Sequence, residues 1–270
     1  MSIHPEARRH LLRKLLIFIV LIAVVASLVW WRNDQPVSKP QPVTATSSSS
    51  VPTVPTSFNK KQYSINDPAS IWVVVNKGRI LPSDYAPSLV VPNVPLNYPS
   101  SSNDSHLRTE TARALELMFA AAKKNGFDLK LFSGYRSYSE QMSVYNNFVS
   151  TEGQAHADIS SARPGHSEHQ TGLAADVSVI GASCELQLCF GNTPAGRWVA
   201  ANAYKYGFLV RYQNGKENLT GYEYEPWHLR YAGGDLAAEI NKTGQTLEQF
   251  FGLTTYTDYS TTSYQLKSGY

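Results

Sequence analysis

A run of seventeen residues from Leu15 to Trp31, LLIFIVLIAVVASLVWW, carries one polar side chain, Ser27, and divides the chain before any motif is considered. At about 1.5 Å per residue, a helix of that length covers roughly 26 Å, the short end of what crosses a bilayer core. Arg8, Arg9, Arg13 and Lys14 precede it, which directs the N-terminus to the cytoplasmic side, and Trp30 and Trp31 fall where aromatic rings favour the outer interface. A signal peptide cut after Ala26 is the alternative; the uncleaved anchor is preferred because the apolar run continues beyond that point. Both readings export everything after residue 32.

Residues 33–57 are rich in Pro, Ser and Thr without apolar periodicity, so they bury too little surface to offset their ordering entropy and read as an extended spacer. Charge is partitioned in the same way. The chain has a net charge of +3, yet its first forty residues hold six Lys or Arg against two Asp or Glu, leaving 18 basic and 19 acidic side chains elsewhere. A near-neutral exported body has no basic surface to follow a phosphate backbone, which argues against nucleic-acid binding. The expected organisation is a basic cytoplasmic tail (1–14), a transmembrane signal-anchor (15–31), a spacer (32–58), one folded domain (59–253) and a flexible Thr/Tyr/Ser-rich tail (254–270).

Within 59–253, helix and strand signals alternate without a strict βαβ repeat. IWVVVN (71–76) reads as a strand, and 106–124 as a helix stopped by Gly126. DLKLFSGYRS (128–137) reads as a strand opening into a loop. Ser137 with Glu140 forms a capping-box pattern for a helix that buries Met142, Tyr145, Phe148 and Val149. LAADVSV (173–179), GFLVRY (207–212) and HLRYA (228–232) read as strands, and Thr193-Pro194 starts a helix ending at Gly207. The pattern predicts an α+β fold, with helices packed on a mainly antiparallel sheet. The two cysteines, Cys184 and Cys189, are five apart in an exported loop, which favours a disulfide over a metal pair.

Chemistry concentrates in two segments. PGHSEHQTGLAADV (164–177) holds His169 and Asp176 with small residues between them, and YEPWHLRY (224–231) holds Glu225 three residues before His228. Two imidazoles and one carboxylate supply three ligands and leave a fourth tetrahedral position open, the arrangement of a catalytic zinc, with Glu225 placed to move a proton. Spacing alone does not separate His169 from His166, nor exclude His156, and each of these residues also has an ordinary structural reading.

SEHQTGLAAD (167–176) resembles the SxHxxGxAxD motif of the VanY-type zinc D-alanyl-D-alanine carboxypeptidases; EPWH (225–228) resembles their ExxH element, and SGYRS (133–137) their upstream arginine motif. The resemblance spans roughly residues 60–252, in the family's order. It implies His169, Asp176 and His228 as ligands of one Zn2+ per chain, and Glu225 as general base and then general acid. Arg136 is implied as the residue that steadies the oxyanion or, alternatively, binds the terminal carboxylate. Ser137, Gln141 and Ser167 are implied substrate contacts. The substrate implied is a peptidoglycan stem peptide that loses its terminal D-alanine, acted on by a monomeric enzyme held at the cell membrane with its domain on the wall side. L,D-carboxypeptidase and D,D-dipeptidase activities are the alternatives within the family, and a wall-binding protein without catalysis is the alternative outside it.

Overall fold

Four short strands, of which the central two send apolar and polar side chains to opposite faces, form a sheet covered by helices on its apolar side. The computed structural model describes residues 58–268, so the apolar run 15–31 lies outside the described residues. In chain order the elements are β1 (Arg79–Ile80), α1 (Thr109–Lys124), β2 (Leu129–Ser133), α2 (Tyr138–Glu152), α3 (Gln154–Ser160), β3 (Ala174–Val179), α4 (Pro194–Asn202), β4 (Phe208–Tyr212), α5 (Glu217–Thr220), β5 (Glu225–Tyr231), α6 (Gly234–Thr243), α7 (Leu247–Phe251) and β6 (Tyr264–Gln265). No helix among the described residues is long and apolar enough to cross a membrane.

The four-stranded sheet has the order β2-β3-β5-β4, and every neighbouring pair is antiparallel. This agrees with the α+β expectation. Period-two alternation sends Ala175 and Val177 of β3 and Leu229 of β5 into the main core, where they meet Leu115, Met118 and Ala122 of α1 and Val199 of α4. The intervening residues Asp176 and His228 therefore face the opposite side, and they are direct partners in the β3–β5 register.

Two irregularities assemble polar groups on that face. Across β2–β3, Leu131 pairs with Val177 and Ser133 with Asp176, so Phe132 is an extra residue that turns Ser133 toward Asp176. Across β4–β5, Val210 pairs with Leu229 and Tyr212 with Glu225, which leaves β5 two residues longer than its partner. Residues three apart on a regular strand point to opposite faces. The irregularity brings Glu225 and His228 to one side instead.

Three expectations are corrected. Residues 71–76 pair in no sheet beyond an isolated Asn76–Arg79 bridge. They form a turn followed by an irregular stretch, with Trp72 and Val74 in one apolar cluster and Val73 and Val75 in another. Their carbonyls are taken by arginines rather than by a strand: Arg79 Nε donates to Val74 O, and Arg230 Nη2 to Ile71 O and Val73 O. The segment 254–270 does not fray over its described part. β6 pairs with β1 in parallel, Leu266 is buried, and Tyr259 and Tyr264 lie under Arg163 and Arg79 at 4.2 and 4.9 Å. Its rings find cations, which composition does not reveal. Finally, α2 has the expected capping box, but it buries Gln141 and Tyr145, while Met142 is 44% exposed.

Candidate active site

His169 stands in a 3-10 turn over residues 168–171 that leads into β3, where Asp176 lies. Ser167 caps this turn by accepting from His169 N at 3.3 Å. Gly172 ends it at a φ of +69°, and a Cβ there would press on the Arg108 and Leu89 side chains. Glycine at this position thus meets both a left-handed backbone and a close approach.

One ligand atom from each of His169, Asp176 and His228 lies within 4.8 Å of the others, and all three residues are buried. His169 Nδ1 donates to Gly134 O at 2.5 Å, since a carbonyl only accepts, which leaves Nε2 facing Asp176 Oδ2 at 3.3 Å. His228 is held the other way round. Its Nε2 lies 3.4 Å from Glu168 Oε2, and its Nδ1 lies 2.9 Å from Asp176 Oδ1. Asp176 Oδ2 also accepts from the Ser133 hydroxyl at 2.5 Å. Two ring nitrogens, each fixed by a bond to its other nitrogen, converge with a carboxylate, and this donor set fits zinc.

The electrostatics suit a cation. Burial alone would raise the Asp176 carboxyl, but His169 and His228 outweigh it and hold it well below its ordinary value. Burial would lower His228, yet its hydrogen bonds to Asp176 and Glu168 push it up to about 10, so the ring carries a proton that a divalent ion would displace. Glu225, whose Oε2 is 3.8 Å from His228 Nδ1, is pushed up to about 8 by burial, with His228 opposing.

Glu168 is the anchor behind His228. It accepts from Arg211 Nε and Arg230 Nη1, both at 2.8 Å, and Arg211 also pairs with Glu248 at 2.6 Å. All four side chains are essentially sealed from solvent. Burial would raise the Glu168 carboxyl, but Arg211 and Arg230 outweigh it and keep it ionised. Sequence reasoning missed this network and Ser133. The available signals were Arg211 and Arg230 inside otherwise apolar strands, where a charge must be paired, and an acid beside a ligand histidine.

The site opens into a cavity of about 310 Å³ lined by Arg136, Gln141, Ser167 and the three candidate ligands, and also by Glu225, Trp227 and residues of α2 and α3. Arg136 Nη1 donates to Gln141 Oε1 at 3.0 Å, and its Nη2 lies 3.4 Å from Ser133 Oγ and 3.8 Å from Asp104 Oδ1. Gln141 is in turn fixed by donating to Ala162 O at 2.7 Å. Ser137 does not line the cavity: its hydroxyl serves the capping box of α2, bonded to Glu140 Oε2 at 2.6 Å. Of the two open histidines, His166 is buried against Asn76 O at 2.7 Å, away from the ligands. His156 lies on α3 at the cavity rim, paired with Glu152 at 2.7 Å. Cys184 and Cys189 form the expected disulfide. A second cavity of about 280 Å³, lined by residues such as Tyr204, Leu209 and Ile240, has no acidic, basic or histidine side chain in its wall.

A family model described as VanY, D-alanyl-D-alanine carboxypeptidase, matches residues 104–234. The protein YodJ of Bacillus subtilis (strain 168) is 48% identical over 188 residues, 69% of this chain and 69% of its own length. The structure of the LD-carboxypeptidase LdcB matches with a TM-score of 0.66 and 46% identity, covering 70% of this chain and 89% of that one. A mutant of the vancomycin-resistance D,D-pentapeptidase VanY, solved in complex with Zn(II), matches with a TM-score of 0.56 and 30% identity, covering 66% of this chain and 97% of that one.

Proposed function

The chain belongs to the VanY family of D-alanyl-D-alanine carboxypeptidases, and we propose that it removes the terminal D-alanine from peptidoglycan stem peptides at the His169–Asp176–His228 centre. The observation that carries this reading is the convergence of three buried ligand atoms beside the enclosed carboxylate of Glu225. When bound, zinc supplies a Lewis acid that polarises the scissile carbonyl and the attacking water. Every other task falls to the chain's own side chains. Glu225 takes a proton from the water as its oxygen adds to the carbonyl carbon, then gives that proton to the amine of the departing D-alanine as the C–N bond breaks. Burial raises this carboxyl in the metal-free site, and the charge of a bound cation would favour the ionised form that takes the proton.

Arg136 presents a guanidinium held by Gln141, a fork suited to the developing oxyanion or to the terminal carboxylate of the peptide. Glu168 fixes the proton on His228 Nε2, so that Nδ1 stays available to the ion. Gln141 and Ser167 act by holding Arg136 and the ligand turn. The basic flank, the apolar run and the Pro/Ser/Thr spacer support anchoring by a single membrane pass, with this domain on the wall side. A disulfide between the only two cysteines is in keeping with an oxidising compartment.

A second reading concerns the residue before the scissile bond. Identity is 46% to the LD-carboxypeptidase LdcB but 30% to the D,D-pentapeptidase VanY, which favours the tetrapeptide over the pentapeptide. Mass analysis of muropeptides treated with the purified full-length protein tests both readings. Loss of one alanine, stopped by a chelator and restored by zinc, is expected, with tetrapeptides consumed faster. Intact stem peptides of both lengths in the presence of zinc would refute the function.

A further inference from the structure

Leu186 is the one non-glycine residue with a positive φ among the described residues, at +47°, and it also lines the catalytic cavity. A left-handed backbone is unfavourable for a branched side chain and persists only where its surroundings impose it. Here the imposing structure is visible. Leu186 lies inside the six-residue loop closed by Cys184–Cys189, with Cα atoms 5.6 Å apart. Just before it, Glu185 pairs with Lys130 of β2 at 2.5 Å, and Cys184 packs against the main core. Just after it, Phe190 is buried in the same core, and Gly191 lies against Tyr224 and Pro226, the neighbours of Glu225. The loop is tied down on both sides of one leucine, and that leucine faces the site.

The cavity is chemically divided. One part carries the ligands, Glu225 and Arg136, while Leu186, Val144 and Phe148 of α2 and Trp227 of β5 supply its apolar wall. We propose that the disulfide-closed loop is a substrate-binding element in which Leu186 contacts alkyl groups of the bound peptide, and that the disulfide's role in the enzyme is to hold Leu186 there. The proposal rests on the carboxypeptidase reading of the site. Leu186 touches no reacting atom, so its contribution is to binding that persists equally in ground state and transition state, and its loss raises KM rather than lowering kcat.

The test compares steady-state kinetics of the full-length wild type, Leu186→Gly, Leu186→Met and the Cys184→Ser/Cys189→Ser double variant on a stem tetrapeptide. Glycine accepts the left-handed backbone, so L186G removes the side chain without adding strain. From the area of a half-buried leucine, KM is expected to rise about three- to tenfold in L186G with kcat within about twofold. L186M, which keeps an apolar side chain, stays near wild type. The double variant raises KM as L186G does, and a phosphine reductant produces the same rise in wild type while leaving the double variant unchanged. Turnover with an unaltered KM in L186G, or a fall confined to kcat, would overturn the role of Leu186. An L186G effect without any effect of the double variant or of reduction would overturn the role of the disulfide. Absence of turnover of this tetrapeptide, and likewise of a stem pentapeptide, in every protein, wild type included, would refute the carboxypeptidase reading and the proposal with it.

Discussion

Glu168→Gln removes the one carboxylate shared by Arg211, Arg230 and His228 while preserving its shape. Glu168 and Glu248 balance Arg211 and Arg230 in a sealed network. After the substitution Arg211 keeps Glu248, but Arg230 retains only the carbonyls of Ile71, Val73 and Tyr231. One uncompensated positive charge then remains in the interior. Breaking a buried pair from one side costs about 3–5 kcal/mol, which for a domain of this size lowers Tm by roughly 10 °C. The same change loosens His228 Nε2, and loss of such an outer partner weakens metal binding about 10- to 100-fold. Differential scanning calorimetry of the metal-free protein reads the first effect, and competition with a zinc chelator of known affinity reads the second. Adding Arg230→Met to Glu168→Gln removes the stranded charge, so stability recovers while zinc affinity stays low. A Tm within about 2 °C of wild type for Glu168→Gln would refute the charge argument. Recovery of zinc affinity together with stability in the double variant would refute a positioning role for Glu168.

Three further outcomes are expected. Glu225→Gln should retain one zinc per chain by elemental analysis yet lower kcat about 10²- to 10⁴-fold, the usual contribution of a positioned general base; turnover near wild type would exclude that role. Ser137→Ala should cost about 1 kcal/mol through loss of the α2 cap with KM unchanged, whereas a raised KM at constant stability would return Ser137 to the substrate. The Glu248 carboxyl lies below its ordinary value of 4.5, because Arg211 and Asn76 outweigh the effect of burial. It binds its proton more weakly in the fold, so its stabilisation is complete above about pH 4.5 and is lost as pH falls further. Thermal melts of the metal-free protein should drop as pH falls below that value, with a shallower acid drop in Glu248→Gln; equal acid slopes would remove Glu248 from the acid response.

The two short segments that hold the candidate ligands were legible in the sequence, whereas spacing left His166 and His156 open beside His169; in the fold the β3–β5 register joins the segments by pairing Asp176 with His228. The helix capped by Ser137 and the disulfide were equally legible, since both depend on local spacing. Less legible was whatever depends on distant partners. Residues 71–76 have strand composition, but their carbonyls accept from arginines about 160 positions away or nearby in the chain. Ser133 reaches Asp176 only through an extra residue in β2, and Glu225 joins His228 only through an irregular β5. The tail around Tyr259 and Tyr264 is ordered by guanidiniums that no local pattern announces.

In the proposed function, one zinc at His169, Asp176 and His228 confers the activity. This role is tested most directly by returning zinc stepwise to the chelated full-length protein, with bound metal and D-alanine release from a stem peptide measured in the same samples. Activity is expected to rise in proportion to bound metal and to saturate at one ion per chain, and His228→Ala is expected to abolish both. Activity that survives complete metal removal, or zinc that binds fully to His228→Ala with activity intact, would contradict that role.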